Sequence, residues 1–270
     1  MNLFHALLLG IVEGLTEFVP VSSTAHMLIV QKLFNIPSSD AMFAFLVLVQ
    51  IGPLVALLIY FWKDLWNLAM AFLTKAPFST PENKLAWFVV IATIPALLMG
   101  LLLKSAAENL FSEPLLAAGI RLLVAAALLF LAEWLGKQVR SLDAMNWLDA
   151  LIVGIFQVFA VLPGSSRSGS AISGGMLRGM DRASATRFAF LMSAPVMLAA
   201  GGYETLGLRH VAGIGSFVLP LVIGFIAAGV VGWFSIRWLI DYVSKHSLYV
   251  FAVYCAVVGI AALVVSFLVA

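Results

Sequence analysis

Two glutamates stand four residues apart near the start of the chain, within a stretch that is otherwise apolar. Glu13 and Glu17 therefore lie on one face of a helix. Two ionised carboxylates repel each other in a low-dielectric setting unless a cation or a shared proton compensates. A carboxylate pair at headgroup level is the alternative, but the apolar flanks place the pair within a membrane segment, where ionisable residues are functional by default. The spacing predicts a divalent metal or a shared proton.

Three hydroxyl residues and a histidine follow the glutamates. Pro20 breaks the first helix, Ser22, Ser23 and Thr24 precede the next one, and His26 comes two residues later. The beginning of a helix offers unpaired N–H groups and a positive dipole end, which bind phosphate. At least one hydroxyl has an alternative role as an N-cap, and the histidine has one as a buried imidazole. The cluster favours phosphate chemistry, with Ser23 as nucleophile and a histidine or glutamate as its base, or with direct attack by water.

A second polar break lies in the other half of the chain, at residues 163–169. It carries Ser165, Ser166, Arg167 and Ser168 between two glycines. Glycine lets the backbone approach a ligand closely, and a guanidinium can clamp two phosphate oxygens. A lone arginine in a membrane segment needs an anion, and one of the two glutamates is the alternative partner. Both roles apply if substrate displaces the ion pair.

The overall composition indicates that these residues belong to a membrane protein. Hydrophobic residues make up 63% of the 270 residues, only 10% are charged, and the mean hydropathy is +1.09. Soluble domains are nearer half apolar and a quarter charged. The net charge is +2 and the basic residues form no stripe, which argues against nucleic acid as a partner. The single cysteine, Cys255, has no disulfide partner.

Hydropathy predicts an all-α protein with six spanning helices and two re-entrant hairpins. The polar breaks interrupt the apolar stretches 3–29 and 148–177, leaving pieces of about 10 to 15 residues that are too short to cross a core of about 30 Å. Each stretch is therefore predicted to be a helical hairpin whose tip lines a wet cavity. Residues 63–84 are predicted to be a loop on the inside. The predicted spans are residues 42–62, 85–103, 114–132, 188–203 with flanking residues, 211–236 and 247–270.

The two broken stretches resemble each other. Residues 10–13 match residues 154–157, so that Glu13 aligns with Gln157, and the two polar breaks match after a one-residue gap. This predicts a single membrane domain with repeat halves at about residues 1–135 and 147–270. Each half has one hairpin and three spans, and an odd number of crossings inverts the second half relative to the first.

Basic residues outside the membrane segments predict the orientation. One side of the predicted topology holds Lys63, Lys75, Lys84, Lys137, Arg140, Arg178, Arg182, Arg187, Arg237 and Lys245, and the other holds Lys32, Lys104 and Arg209. The positive-inside rule then places both termini and the mouth of the first hairpin outside.

The two motifs resemble the signatures of the undecaprenyl-diphosphatase family, also called the bacitracin-resistance family BacA. The first motif covers residues 13–26 and the second covers residues 163–169. Their order and separation, the chain length and the span pattern agree over essentially the whole chain. Ala25 occupies a position where glycine is usual in the family, and none of the proposed chemical roles depends on this residue. Another large group of lipid phosphatases places a histidine several residues after Ser-Arg, and no histidine follows Arg167 in this way.

The resemblance implies hydrolysis of undecaprenyl diphosphate to undecaprenyl phosphate and inorganic phosphate with a divalent cation, Mg²⁺ or Ca²⁺. It also implies a multi-pass protein of the bacterial plasma membrane whose site opens toward the periplasm, with the lipid substrate and the bilayer as partners. Glu13 and Glu17 are then expected to hold the metal. The expected catalytic residues are Ser23, His26, Glu17 and Arg167, and the expected phosphate-binding residues are Ser22, Thr24, Ser165, Ser166, Arg167 and Ser168.

A polyprenyl phosphate flippase is the alternative function, because inverted repeats with broken helices are also typical of transporters. A clustered nucleophile, base, carboxylate pair and arginine favour the enzyme. Gln50 and Arg121 lie within predicted spans, where interhelical hydrogen bonds or snorkelling explain most polar residues. The lipid chain length, the physiological cation and the oligomeric state, a homo-oligomer included, stay open.

Overall fold

The computed structural model describes residues 2–37, 39–109, 113–160, 165–207 and 218–269. Pro163 and Gly164 of the second motif lie outside the described residues. Within these ranges all regular elements are helices, including a 3₁₀ turn at Leu142–Ala144. The α-helices are α1 (Leu3–Phe18), α2 (Ser23–Leu33), α3 (Asp40–Val49), α4 (Ile51–Tyr60), α5 (Trp62–Thr74), α6 (Pro81–Asn109), α7 (Pro114–Leu135), α8 (Trp147–Val158), α9 (Arg167–Leu177), α10 (Arg182–Gly207), α11 (Val218–Lys245) and α12 (Tyr249–Val269).

Six segments of the described chain are long and apolar enough to cross a membrane. They are Ala41–Tyr60, Pro81–Gly100, Pro114–Leu135, Arg182–Tyr203, Val218–Lys245 and Tyr249–Leu268. The prediction of a multi-pass, all-helical membrane protein is therefore confirmed. The fifth span continues to Lys245, beyond its predicted end. Its 28 residues are about 42 Å long, so the helix extends past a core of about 30 Å. The charged residues of its last turns therefore lie beyond the apolar core.

The first span is broken at Gln50, between α3 and α4. Pro53 has no N–H, and its ring disfavours a straight helix at the carbonyl four residues earlier. The backbone hydrogen bonds on either side are long, at 3.4 Å from the Gln50 N–H to the Leu46 carbonyl and 3.4 Å from the Leu54 N–H to the Gln50 carbonyl. The sequence did not predict this break.

Residues 62–74 form the helix α5, so the prediction of a loop throughout residues 63–84 was wrong. The helix has no buried residue, and Trp62, Trp66 and Leu73 are exposed. These side chains recur at helical spacing on one face, while Leu65 and Leu68 pack against the core from another face. Such a pattern is typical of a helix that lies in the membrane interface.

The four helices that flank the two polar breaks are each too short to cross a bilayer. The helices α1, α2, α8 and α9 have 16, 11, 12 and 11 residues, or about 16 to 24 Å at 1.5 Å per residue. They flank the two polar breaks in pairs, as the hairpin prediction requires. The re-entrant insertion of each pair stays a prediction.

The first helix of each pair packs on a span of the other half through a glycine. Helix α1 contacts α11, and α8 contacts α6. A Cβ atom on Gly10 would come 2.9 Å from the Cα of Gly224, and one on Gly154 would come 2.9 Å from the Cα of Ala92. Small residues allow such close helix packing in membranes. Gly10 and Gly154 align in the predicted repeat and make the same kind of contact, while the inverted relation of the halves stays a prediction.

Ion pairs with buried carboxylates hold together the chain segments near the end of α7 and the start of α8. Arg182 donates two hydrogen bonds to Glu133, at 2.7 and 2.6 Å, and the Leu248 N–H donates a third at 2.6 Å. Asp149 is fully buried and accepts from Arg140 at 2.6 Å and from Arg178 at 2.8 Å. Several of the basic residues counted for orientation therefore also stabilise the fold.

Candidate active site

The first polar break is a tight turn between α1 and α2. Helix α1 ends at Phe18, and the turn runs through Pro20 to Ser22, whose φ of 67° lies in a region that residues other than glycine rarely adopt. The Ser22 side chain does not cap α2. The first N–H groups of α2 therefore lack the side-chain acceptor that a helix start usually has.

The turn brings Ser23 against Glu17. The Ser23 hydroxyl donates to Glu17 Oε2 at 2.6 Å, a short and charge-assisted hydrogen bond. Arg167 Nη1, at the start of α9, lies 3.3 Å from Glu17 Oε1. The Glu17 carboxylate thus joins residues from both polar breaks.

Arg167 is only partly engaged by this ion pair. Its Nη1 atom is buried and has no hydrogen-bond acceptor, because the 3.3 Å contact with Glu17 lacks hydrogen-bond geometry. The side chain as a whole is 26% exposed, against 8% for Glu17. A guanidinium in this state can donate to an incoming anion, which is the role predicted for it.

Glu13 lies one turn before Glu17 and is 1% exposed. Its Oε1 atom is buried without a hydrogen-bond partner. A buried carboxylate oxygen without a donor is costly unless a proton or cation is bound. The pair therefore fits a cation that takes one or two carboxylates and completes its shell with water and phosphate oxygens, as Mg²⁺ commonly does. Within the described residues, no group of three or more His, Cys, Asp and Glu side chains could hold a metal.

The serines of the second break differ in their hydrogen-bond partners. Ser166 caps α9, because its hydroxyl accepts from the Gly169 N–H at 3.1 Å. Ser165 donates to the Phe159 carbonyl at 2.8 Å. Ser168 lies 3.0 Å from the Ser166 hydroxyl and 3.5 Å from the Val19 carbonyl of the first break. The second break is thus tied to the first through these buried hydroxyls.

A polar cavity of about 50 Å³ lies where the two breaks meet, with room for water at about 10 to 15 Å³ per molecule. Its lining contains seven of the predicted site residues together with Gln50 and Ala160. The predicted residues are Glu17, Ser22, Ser23, Thr24, Ser165, Ser166 and Arg167. Glu13, Ser168 and His26 are not among the lining residues. The roles assigned to all these residues stay predictions.

Gln50, at which the first span breaks, is one of the residues that line the polar cavity. Its amide was an ambiguous signal in the sequence, since most polar residues in spans serve helix packing. A second cavity of about 60 Å³ shares Gln50 and Arg167 with the first. Beyond these two residues it is lined by α3, α4 and α10, at Val47, Ile51, Leu54, Met197, Ala200 and Gly201. Arg121 lines neither cavity.

His26 itself is not among the residues that line the polar cavity. Its Nδ1 atom lies 2.9 Å from the Ser22 carbonyl oxygen, and its Nε2 atom lies 2.8 Å from the hydroxyl of Tyr254 on α12. No spacing in the sequence pointed to Tyr254, because it stands 228 residues from His26 in an apolar span. The group in contact with the Ser23 hydroxyl is Glu17.

Comparison with known proteins identifies similar chains. Residues 6–261 match the family model described as bacitracin resistance protein BacA. An undecaprenyl-diphosphatase of Chloroherpeton thalassium is 38% identical over 96% of this chain and 95% of its own. One of Desulforudis audaxviator is 38% identical over 99% of both chains, and one of Chlorobium chlorochromatii is 41% identical over 97% and 96%. The names of these relatives lend no support to the flippase alternative.

Proposed function

The chain belongs to the family of bacitracin resistance protein BacA, and from this we propose that it hydrolyses undecaprenyl diphosphate to undecaprenyl phosphate and inorganic phosphate. The observation that carries the proposal is the contact chain from Ser23 through Glu17 to Arg167. A nucleophile, a base within reach of its proton and a cation for the phosphoryl oxygens are parts that phosphoryl transfer requires. The product is the lipid carrier that cell-wall synthesis consumes.

In the proposed reaction the Ser23 oxygen attacks the terminal phosphorus. The bond from phosphorus to the bridging oxygen breaks and undecaprenyl phosphate leaves. The hydroxyl proton passes to Glu17 Oε2, which already accepts its hydrogen bond at 2.6 Å. Water then attacks the phosphoserine, so that inorganic phosphate leaves and the serine regains a proton. Direct attack by a water molecule that Glu17 activates is the alternative.

The position of Arg167 couples proton transfer to phosphate binding. Once Glu17 is protonated it is neutral, and its attraction for the guanidinium 3.3 Å away falls. Arg167 Nη1 has no hydrogen-bond acceptor in the structure, so it can donate to the phosphoryl oxygens as negative charge develops there. The first N–H groups of α2 and α9 add to this stabilisation, because both helices begin at the cavity.

Glu13 and Glu17 are the residues we assign to a divalent cation, Mg²⁺ or Ca²⁺. The unpartnered Oε1 atom of the buried Glu13 supports this assignment. When bound, such a cation neutralises charge on the diphosphate oxygens and helps to orient them.

The isoprenoid chain needs an apolar route out of the polar cavity. The second cavity shares Gln50 and Arg167 with the first and is otherwise lined by residues without charge between α4 and α10. We assign only the start of the isoprenoid chain to this cavity of about 60 Å³ and the rest of the chain to the bilayer. Only the diphosphate then has to reach the polar centre.

The proposed location is the bacterial plasma membrane, with the site opening toward the periplasm. The distribution of basic residues supports this orientation, since ten lie on the predicted inner side and three on the outer side. The six apolar spans support the membrane location itself.

Phosphate release from C55 diphosphate by the purified protein tests the proposal. We expect release that is lost on addition of a chelator and restored by Mg²⁺ or Ca²⁺. No release with any cation would refute the phosphatase and leave lipid transport as the remaining candidate. Release that is indifferent to the chelator would refute the cation assignment and leave hydrolysis standing.

A further inference from the structure

The last helix contributes a side chain to the first polar break. The Tyr254 hydroxyl on α12 lies 2.8 Å from His26 Nε2 on α2, and the two rings stack with 5.7 Å between centroids and 6° between planes. We infer that Tyr254 is a positioning residue that acts through His26 to hold the turn that presents Ser23 to Glu17. The kinetic consequence rests on the proposed function, whereas the contact itself does not.

Both ring nitrogens of His26 are engaged by groups other than Ser23. The Ser22 carbonyl oxygen can only accept, so His26 Nδ1, 2.9 Å away, carries the proton. In the neutral ring Nε2 then has a free lone pair, and the Tyr254 hydroxyl donates to it. The hydroxyl of Ser23 donates to Glu17. His26 is therefore placed to support the turn, and Glu17 is placed to take the proton.

The part of the turn that His26 supports is the strained residue Ser22. The Ser22 carbonyl accepts from His26 Nδ1 at 2.9 Å and from the His26 backbone N–H at 3.2 Å. With φ at 67° and ψ at 91°, Ser22 holds a conformation that persists only where its surroundings enforce it. Because Ser23 follows directly, relaxation of Ser22 would move the nucleophile away from Glu17.

A second contact from the same helix supports this role. The Cys255 thiol, next to Tyr254, lies 3.8 Å from the Pro20 carbonyl at the other end of the turn. Helix α12 therefore braces the turn directly at Pro20 and through His26 at Ser22. A tyrosine that served only as an interfacial anchor would direct its hydroxyl to the headgroups, whereas this hydroxyl is directed at the imidazole.

Tyr254→Phe is the test substitution, because it removes the hydroxyl and keeps the ring that stacks on His26. The matched control is Tyr249→Phe on the same helix, where the ring packs on Phe130. The rate of phosphate release from C55 diphosphate is measured over a range of substrate concentrations. One hydrogen bond of ordinary strength corresponds to about five- to tenfold in rate. We expect kcat to fall by about that factor in Tyr254→Phe with KM within about twofold, and neither to change in the control.

A double-mutant cycle with His26→Ala separates action through His26 from a general packing effect. Tyr254→Phe should lower kcat by less than about twofold when His26 is already alanine. A further full reduction in that background, or an unchanged kcat in the single variant, would overturn the inference.

Nitrogen-15 NMR of the histidine rings gives a readout that does not depend on activity. The Nε2 resonance of His26 should shift in Tyr254→Phe and stay in place in Tyr249→Phe. Absence of the shift would overturn the inference even if the protein hydrolyses its substrate. A shift in a protein whose wild type releases no phosphate would instead refute the proposed function and leave the contact established.

Discussion

Glutamine in place of Glu17 keeps the shape of the side chain and removes its charge. In the structure Oε2 accepts from Ser23 at 2.6 Å, and Oε1 lies 3.3 Å from Arg167 Nη1. A carboxamide can still accept the serine hydrogen bond, but it cannot take the proton and no longer attracts the guanidinium. Glu17→Gln therefore removes the base and the ion pair together, and the two losses act on different quantities, kcat and the affinity for phosphate.

The two effects are expected to have opposite signs. Loss of the base should lower kcat by about 10²- to 10⁴-fold, the usual contribution of general base catalysis. Binding of phosphate should become tighter, because Arg167 no longer leaves an ion pair to reach it. That pair is partly exposed on the arginine side, so it is worth about 1 kcal/mol, or about fivefold in affinity.

Phosphate release gives kcat, and a non-hydrolysable diphosphate analogue gives the affinity. The analogue is titrated in chelator, so that loss of a metal ligand does not contribute. Glu13→Gln is the matched control: it should raise the cation concentration needed for half-maximal activity and leave analogue binding in chelator unchanged. A kcat for Glu17→Gln within about threefold of wild type, or weaker analogue binding in chelator, would refute the assignment of Glu17.

Four other outcomes follow from the same structure. Acid quenching during turnover should trap phosphate on the peptide that carries Ser23, as read by mass spectrometry, and turnover without any such peptide would favour direct attack by water. Arg182→Met leaves the buried Glu133 carboxylate without its cationic partner and should lower the free energy of unfolding by about 3 kcal/mol. Lys245→Met removes one partner of an exposed pair with Asp241 and should have no measurable effect on thermal unfolding. Gly154→Ala should cost about 1 to 3 kcal/mol of stability because its Cβ would meet α6, while Gly100→Ala, with no atom within 4 Å, should be neutral or slightly stabilising. A reporter fused to the C-terminus should be accessible from outside the cell, and a cytoplasmic reporter would refute the topology.

The spans were predictable because hydropathy depends on composition rather than on contacts. The breaks at residues 20–24 and 163–169 were visible for the same reason, since polar residues interrupt an apolar run. The break at Gln50 was not, because Pro53 lies in an apolar segment and its effect depends on the helices around it. Helix α5 was missed because hydropathy identifies segments long enough to cross the membrane, and this 13-residue helix is too short to do so.

In the site, residue types were predictable and partners were not. Carboxylates and an arginine are energetically costly within a membrane segment, so their presence beside hydroxyl residues was enough to indicate a functional site. The choice of Glu17 rather than His26 as the partner of Ser23 depends on the turn, where Ser22 adopts a positive φ that no pattern in the sequence predicts. The contact with Tyr254 joins opposite ends of the chain and needs the tertiary structure.

Phosphate release by wild-type, Ser23→Ala and Arg167→Ala proteins tests most directly whether the two breaks build one phosphatase site. Each variant removes one functional group from one break, and unfolding temperatures identify any variant that is misfolded. We expect release by the wild type and a loss of about 100-fold or more in each variant, since both groups act on the phosphoryl centre. A wild-type rate in either folded variant would contradict this expectation.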